Sequence, residues 1–323
     1  MSRYEVAPLD FGNLVTVPLA SRPGKVSTQS FARPVCAGDA ALLDRMPDVL
    51  GASDLRALVT AITEANRSRR RVLFGIGAHV LKVGLSPLLI QLVEGRFIDG
   101  IAFNGAGIIH DFEIAACGST SEDVDASLPG GRFGVARETG ESLNRAAREA
   151  AAEGIGLGEA VGRLIAGIDG PTTAHSLLAA CWRHKVPATV HVAIGTDVSH
   201  IHPSADGSAI GAASFTDFRL FAALVSGLDK GGVYVNLGSA VLLPEVFLKA
   251  VAAVRNLGMP LGGFTTANLD FVQHYRPLTN VVRRPVAGDG RGLSLTGHHE
   301  ILVPLLAAAL LRARESDGGG SAV

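Results

Sequence analysis

The chain has little that would staple, anchor or charge it. Three cysteines, Cys36, Cys117 and Cys181, are spread over 323 residues with no Cys-x-x-Cys pair. They exclude a disulfide framework and a thiolate zinc centre, and suit buried thiols in a reducing cytosol. Charge of one sign does not accumulate: the net charge is -1 and the pI near 6.8. Neither nucleic acid nor a membrane is therefore an expected partner. The apolar stretch Ile301 to Leu311 is too short to span a bilayer. The first residues lack the charged start and apolar core of a signal peptide, so a cytoplasmic location is expected. No Gly-x-Ser-x-Gly elbow is present, which argues against a serine hydrolase. Lysine is scarce, with five (Lys25, Lys82, Lys185, Lys230 and Lys249) among 29 basic residues.

Hydrophobic residues make up 47%, enough for a sizeable core. Five times a short apolar run ends in glycine or small polar residues. These are Val72-Leu73-Phe74 into Gly75-Ile76-Gly77, Ile101-Ala102-Phe103 into Asn104-Gly105-Ala106-Gly107, Val190-His191-Val192-Ala193 into Gly195-Thr196-Asp197, Val233-Tyr234-Val235-Asn236 into Gly238-Ser239-Ala240, and Phe264 into Thr265-Thr266-Ala267-Asn268. Helical patterns separate them. The alternation predicts an α/β fold, a doubly wound and mostly parallel sheet whose strand ends open onto one rim, where such sheets bind ligands.

The pattern predicts strands at 71–76, 98–103, 188–193, 232–237 and 262–266. It predicts helices at 53–67 (capped by Ser53), from Ser86-Pro87, from near Ile109, from a capped start at Ser119 to Asp123, and at 141–153, 157–168, 173–184, 214–228, 244–256 and 298–314. Residues 199–212 read as a polar loop and 268–297 as an irregular, Arg-rich segment. Residues 1–50 form an expected N-terminal arm with Arg22 and Lys25 in a polar turn. Residues 51–316 form one domain and 317–323 a disordered tail.

The sharpest candidate site is Asn104-Gly105-Ala106-Gly107-Ile108-Ile109-His110-Asp111-Phe112-Glu113. A glycine turn after a strand delivers His110 as acid or base and Asp111 and Glu113 as seats for a cation. The competing view is that the acids only complement a helix dipole. Gly75 and Gly77 form half a dinucleotide fingerprint, with Val80 where a third glycine belongs. Lys82 could hold a phosphate or carboxylate or act as an amine nucleophile, or be an ordinary solvated lysine. His79, His200 and His202, with His110 and Asp197, are an alternative metal set for a hydrolase or lyase. Thr265 to Asp270 and Gln273 to Arg276 are dense in hydrogen-bonding groups. His298-His299-Glu300 reads mainly as a helix cap.

Four segments together resemble the deoxyhypusine synthase family and its bacterial homospermidine synthase-like relatives. They are Asn104-Gly105-Ala106-Gly107 with the acids after it, Ile194-Gly195-Thr196-Asp197, Asn236-Leu237-Gly238-Ser239-Ala240-Val241, and Thr265-Thr266-Ala267-Asn268. The likeness spans roughly residues 70–310. The first segment is also similar to one in archaeal-type ornithine cyclodeaminases. The resemblance implies a Rossmann-like NAD-binding fold, assembled as a homotetramer or dimer. It implies oxidation of an amine to an imine, as an oxidoreductase or aminoalkyl transferase. It also implies cofactor contacts from Asn104, Gly105, Asp197, Thr266, Ala267 and Asp270, joined by Gly75, Gly77, Gly107, Gly238 and Ser239. His110, Asp111 and Glu113 would face the substrate. The chain departs at Leu243, where the family's imine-forming lysine is expected, so authentic deoxyhypusine synthase activity is not expected. The expectation is an NAD-dependent enzyme for a small amine or amino-acid-like substrate. A small-molecule sensor on the same scaffold is a further alternative.

Overall fold

The computed structural model describes residues 9–22 and 24–318. An N-terminal arm carries a short strand, β1 (Gly24–Ser27), and a run of 3-10 helix at Ala37–Arg45. Then come α1 (Leu50–Arg67), β2 (Val72–Ile76), α2 (Ala78–Lys82), α3 (Ser86–Glu94), β3 (Gly100–Asn104) and α4 (Gly105–Cys117). The chain continues through β4 (Ser119–Glu122), α5 (Val124–Ser127), α6 (Arg137–Glu153), α7 (Leu157–Ala166), α8 (Leu177–His184), β5 (Ala188–His191) and α9 (Gly207–Ser226). It closes with β6 (Val233–Leu237), α10 (Leu242–Asn256), β7 (Thr265–Asp270), α11 (Tyr275–Pro277), β8 (Arg291–Thr296) and α12 (His299–Gly318).

Six strands form one sheet in the order β5-β3-β2-β6-β7-β8, and every neighbouring pair is parallel. Counted along the chain, this is the 3-2-1-4-5-6 order of doubly wound dinucleotide-binding sheets, with its switch point between β2 and β6. Alternation along β2 explains the layers. Val72, Phe74 and Ile76 pack into the larger core with α1, α3 and α12. Leu73 faces the second core with Tyr234 and Phe247, under α9 and α10. Helices thus cover both faces, as the apolar β-branched runs require.

Several local readings are corrected. Helix α1 begins at Leu50, so Ser53 lies inside its first turn rather than at its cap. Residues 119–122 are strand, because β1 of the arm pairs antiparallel with them, Gly24 opposite Glu122 and Val26 opposite Thr120. Helix α9 starts at Gly207, capped by Asp206, inside the expected loop. β7 starts at Thr265, not 262, and runs to Asp270. The segment 268–297 hides β8, whose irregular burial pattern masks its strand character. The tail expected from Asp317 is helical through Gly318, and residues 319–323 lie outside the described residues.

Candidate functional site

A cleft of about 250 Å³ opens over the C-terminal ends of β3 and β5. Arg22, Lys82, His110, Glu113, Glu122 and Asp197 supply its polar lining, and Ala106, Ile109, Val124, Phe133 and Val198 its apolar walls. A larger hollow of about 580 Å³ lies at the opposite end of β5, around Trp182, Pro187 and Leu220. It is chiefly apolar, with Glu159, Arg183 and Lys185 as its charged groups, whereas the smaller cleft holds the denser set of acid–base side chains.

Helix α4 positions three of the four acid–base candidates, and the structure separates their roles. The Nδ1 of His110 is 2.8 Å from Thr120 Oγ1, and that hydroxyl donates to Glu113 Oε2 at 2.6 Å. Because the hydroxyl proton is committed to the carboxylate, Thr120 can only accept from the ring. Nδ1 therefore carries the proton and Nε2 is left as a base. Burial, then the neighbouring Lys82, Arg22 and His79 charges, lower the His110 pKa to about 4, so the ring is neutral at pH 7. Glu113 is held by Thr120, by Thr139, and by the Arg22 guanidinium at 2.5 Å. Thr120 and Glu122 come from β4, and Arg22 enters from the arm just ahead of β1. The β1–β4 pairing that brings them together has no local sequence signal.

Asp111 does not face the cleft. It is fully buried and accepts from Ser176 Oγ, Leu177 N–H and Leu178 N–H, capping α8. An i to i+2 step on a helix turns the side chain well away from Glu113, so adjacency in sequence did not mean a shared face.

Asp197 lies over the first turn of α4, so close that a Cβ on Gly105 would collide with its carboxylate. One oxygen, Oδ2, is buried without a hydrogen-bond partner, and burial raises the pKa to about 6. Lys82 forms no hydrogen bond or ion pair with the described residues.

Several expected cofactor contacts are structural. Gly75 sits inside β2, where a Cβ would strike the Tyr234 hydroxyl. Thr266 and Ala267 are fully buried inside β7, and Thr266 bonds to the Val281 carbonyl. β7 runs on to Asp270, which draws Thr266 and Ala267 inside the strand, whereas Gly75 lies within the strand expected at 71–76, two residues short of its exit at Gly77. Asn104 caps α4 through Gly107 N–H at 2.9 Å, so both serve the helix. At the switch point Gly77 lies against the Gly238 carbonyl, closer than a side chain would permit. Val80 is fully buried, and α2 has only five residues. No glycine cradle with a long helix behind it forms there.

The ends of β6 and β7 carry a second group of polar atoms. Gly238, at φ 72°, is followed by Ser239, and Asp270 ends β7. His299 Nε2 donates to the Leu269 carbonyl at 3.2 Å, which leaves its Nδ1 as a buried acceptor without a partner. Asn236 Oδ1 is a second such acceptor. Both acceptors are buried, at Asn236 and His299, near the ends of β6 and β7. His299 read as a cap in the sequence; only the packing of α12 against β7 brings it under the rim.

The alternative metal set is not assembled. His79 packs against Phe271 and His299, His110 bonds to Thr120, His200 sits 3.8 Å from Asp197, and His202 bonds to Ser204. No group of three or more His, Cys, Asp or Glu suited to a metal ion occurs among the described residues.

No family model and no curated protein matches this sequence. Solved structures do match in fold. AgrE, solved in a ternary complex with ornithine and NAD+, superposes with a TM-score of 0.52 at 14% identity, over 81% of this chain and 33% of AgrE. ArgZ, an arginine dihydrolase of the ornithine–ammonia cycle in cyanobacteria, gives 0.48 at 14% identity over 79% of this chain and 32% of ArgZ. An Entamoeba histolytica protein described as a deoxyhypusine synthase candidate gives 0.46 at 10% identity, over 80% of this chain and 87% of its own. This chain spans about a third of the length of AgrE and ArgZ. The likeness to AgrE is one of fold: the same α/β architecture with helices on both faces of a parallel sheet.

Proposed function

We propose that the chain is an NAD-dependent enzyme acting on a small amine or amino-acid-like substrate in the cleft over β3 and β5. The observation that carries this reading is the juxtaposition, in one cleft, of an Asp197 carboxylate oxygen that has no hydrogen bond and only His200 Nε2 near it at 3.8 Å, an unpaired cation on Lys82 and a neutral imidazole base on His110. An ammonium suits the first, a carboxylate the second, and a proton from the reacting nitrogen the third. The fold shared with AgrE, a protein solved with NAD+ and ornithine, supports the same assignment.

Gly238, Ser239 and Asp270 would hold the cofactor, with the buried acceptors of Asn236 and His299 beneath them. When bound, NAD would supply a hydride acceptor for a carbon bearing nitrogen. His110 would take the proton at Nε2, while Thr120 and Glu113 fix its tautomer and hold the imidazolium that results. Asp197 would orient the substrate nitrogen. Leu243 is buried in α10 and offers no amine, so an enzyme-bound imine at that position plays no part.

The test is titration of purified protein with NAD+, followed by reduction assays on a panel of amines and amino acids. Binding of NAD+ that is lost in Asp270→Ala, with turnover lost in His110→Gln, is the expected outcome. Failure to bind NAD+ would overturn the reading.

A further inference from the structure

One hydroxyl decides which nitrogen of His110 is free. Thr120 Oγ1 has a single proton and lies between two partners, His110 Nδ1 at 2.8 Å and Glu113 Oε2 at 2.6 Å. When the hydroxyl donates to Glu113 it must accept from the ring, and Nε2 is the base. When Glu113 donates to the hydroxyl, the hydroxyl turns to Nδ1 and the ring proton sits on Nε2. The ring is neutral at pH 7, so its tautomer alone sets whether the cleft holds a base. The choice follows the charge of Glu113, a residue only 2% exposed. Among the described residues its one ion-pair partner is Arg22 of the arm, 2.5 Å from Oε1. Thr139 also donates to Oε1, at 3.3 Å. Glu122 lies 3.1 Å from the same guanidinium and adds a second negative charge. Without Arg22 that charge would work against an ionised Glu113.

We propose that Arg22 is a positioning residue for His110: its charge keeps Glu113 an anion, the anion takes the Thr120 proton, and the hydroxyl then holds the ring with Nε2 free. The inference rests on the reading above, in which His110 Nε2 takes the proton from the substrate nitrogen. A carboxylate left buried without its counter-ion takes up a proton. In Arg22→Met a neutral Glu113 donates to Thr120, Thr120 donates to Nδ1, and the ring presents Nε2–H to the cleft. Only protons change place, and the heavy atoms can stay where they are. Glu113→Gln reaches the same end with Arg22 still present. A guanidinium can only donate, so the amide carbonyl must take the Oε1 position and the NH2 the Oε2 position beside Thr120. That NH2 donates to Oγ1 and reverses the relay.

Long-range proton–nitrogen correlation spectra of the full chain with 15N-labelled histidine report the tautomer at pH 7 without NAD+ or substrate. The His110 signal is identified by its loss in His110→Gln. Wild type is expected to show Nδ1–H, and both Arg22→Met and Glu113→Gln to show Nε2–H. Each of the two is also expected to lower turnover about 100-fold. Glu122→Gln removes the arm's other ion pair but keeps Arg22 on Glu113, and it is expected to stay Nδ1–H. Nε2–H in the wild type, or Nδ1–H persisting in a folded Arg22→Met or in Glu113→Gln, would overturn the proposal. So would Nε2–H in Glu122→Gln, because docking of the arm rather than the charge on Glu113 would then set the tautomer. Glu113→Gln, nearly isosteric, decides the matter if circular dichroism shows Arg22→Met to be unfolded. Expected tautomers in a protein that binds no NAD+ would overturn the enzyme reading instead and leave the relay standing.

Discussion

His110 and Asp111 are neighbours in sequence, yet one serves the cleft and the other the core. His110→Gln keeps a donor for Thr120 but removes the Nε2 base, so turnover should fall about 100-fold or more while the melting temperature stays close to wild type. Asp111→Ala should do the reverse. It strips the α8 cap and leaves Ser176 and two buried N–H groups unpaired, costing about 3 kcal/mol, readable as a lower denaturant midpoint. Substrate affinity should follow Asp197, whose pKa is raised to about 6. Amine binding should therefore strengthen as pH rises through 6, and an Asp197→Asn variant should lose that pH dependence along with much of its affinity.

Strand β5 is an edge of the main sheet, and α9 shields it. Asp217 on α9 reaches over to accept from Val190 N–H of the strand and Gly158 N–H of α7. Burial is the main cause that raises its pKa to about 7. The unfolded chain has the ordinary carboxylate value, so the native state holds this proton longer. The stabilisation is complete below about pH 4 and is lost as pH rises through 7. His110 and His191, both lowered to about 4, titrate with the opposite sign, since the unfolded state protonates them first. Asp217→Asn should remove only the first contribution. Its unfolding free energy should rise relative to wild type between pH 4 and 7, and a parallel pH profile for the two proteins would refute this account. The run of α9 is apolar enough in length and composition to resemble a membrane span, but 44% of it is buried, and the helix packs against β5, α6 and α10.

The arm makes the molecule's cleft without making its sheet. Removing residues through Ser27 deletes Arg22, unpairs β4 and takes Leu19 from the edge of the larger core, while every strand of the six-stranded sheet remains. Such a truncation should keep far-ultraviolet circular dichroism near wild type and sharply lower turnover, since Glu113, which fixes Thr120 and through it His110, loses its Arg22 partner. A global loss of structure would show instead that the arm is part of the core. The parallel sheet itself was legible in the sequence: each of five strands is a short β-branched run that must be buried on both faces, and glycine marks most of the exits. β8 was not legible, because Arg291 and Gly292 open it and only Leu293 and Leu295 carry the alternation at this sheet edge, too short a run to mark a strand.

Local chemistry was therefore enough to determine that this chain builds a doubly wound α/β sheet, since side-chain periodicity and the burial of apolar runs act over a few residues at a time. It was enough to mark His110, Glu113, Lys82 and Asp197 as rim residues, because each follows a strand end within a turn or two. Only the tertiary structure decided that Asp111 is a cap, that Thr266 and Ala267 are core, and that Arg22 joins Glu113. Those outcomes depend on which way a side chain points once distant segments pack, and Arg22 meets its partner across 90 residues of intervening chain.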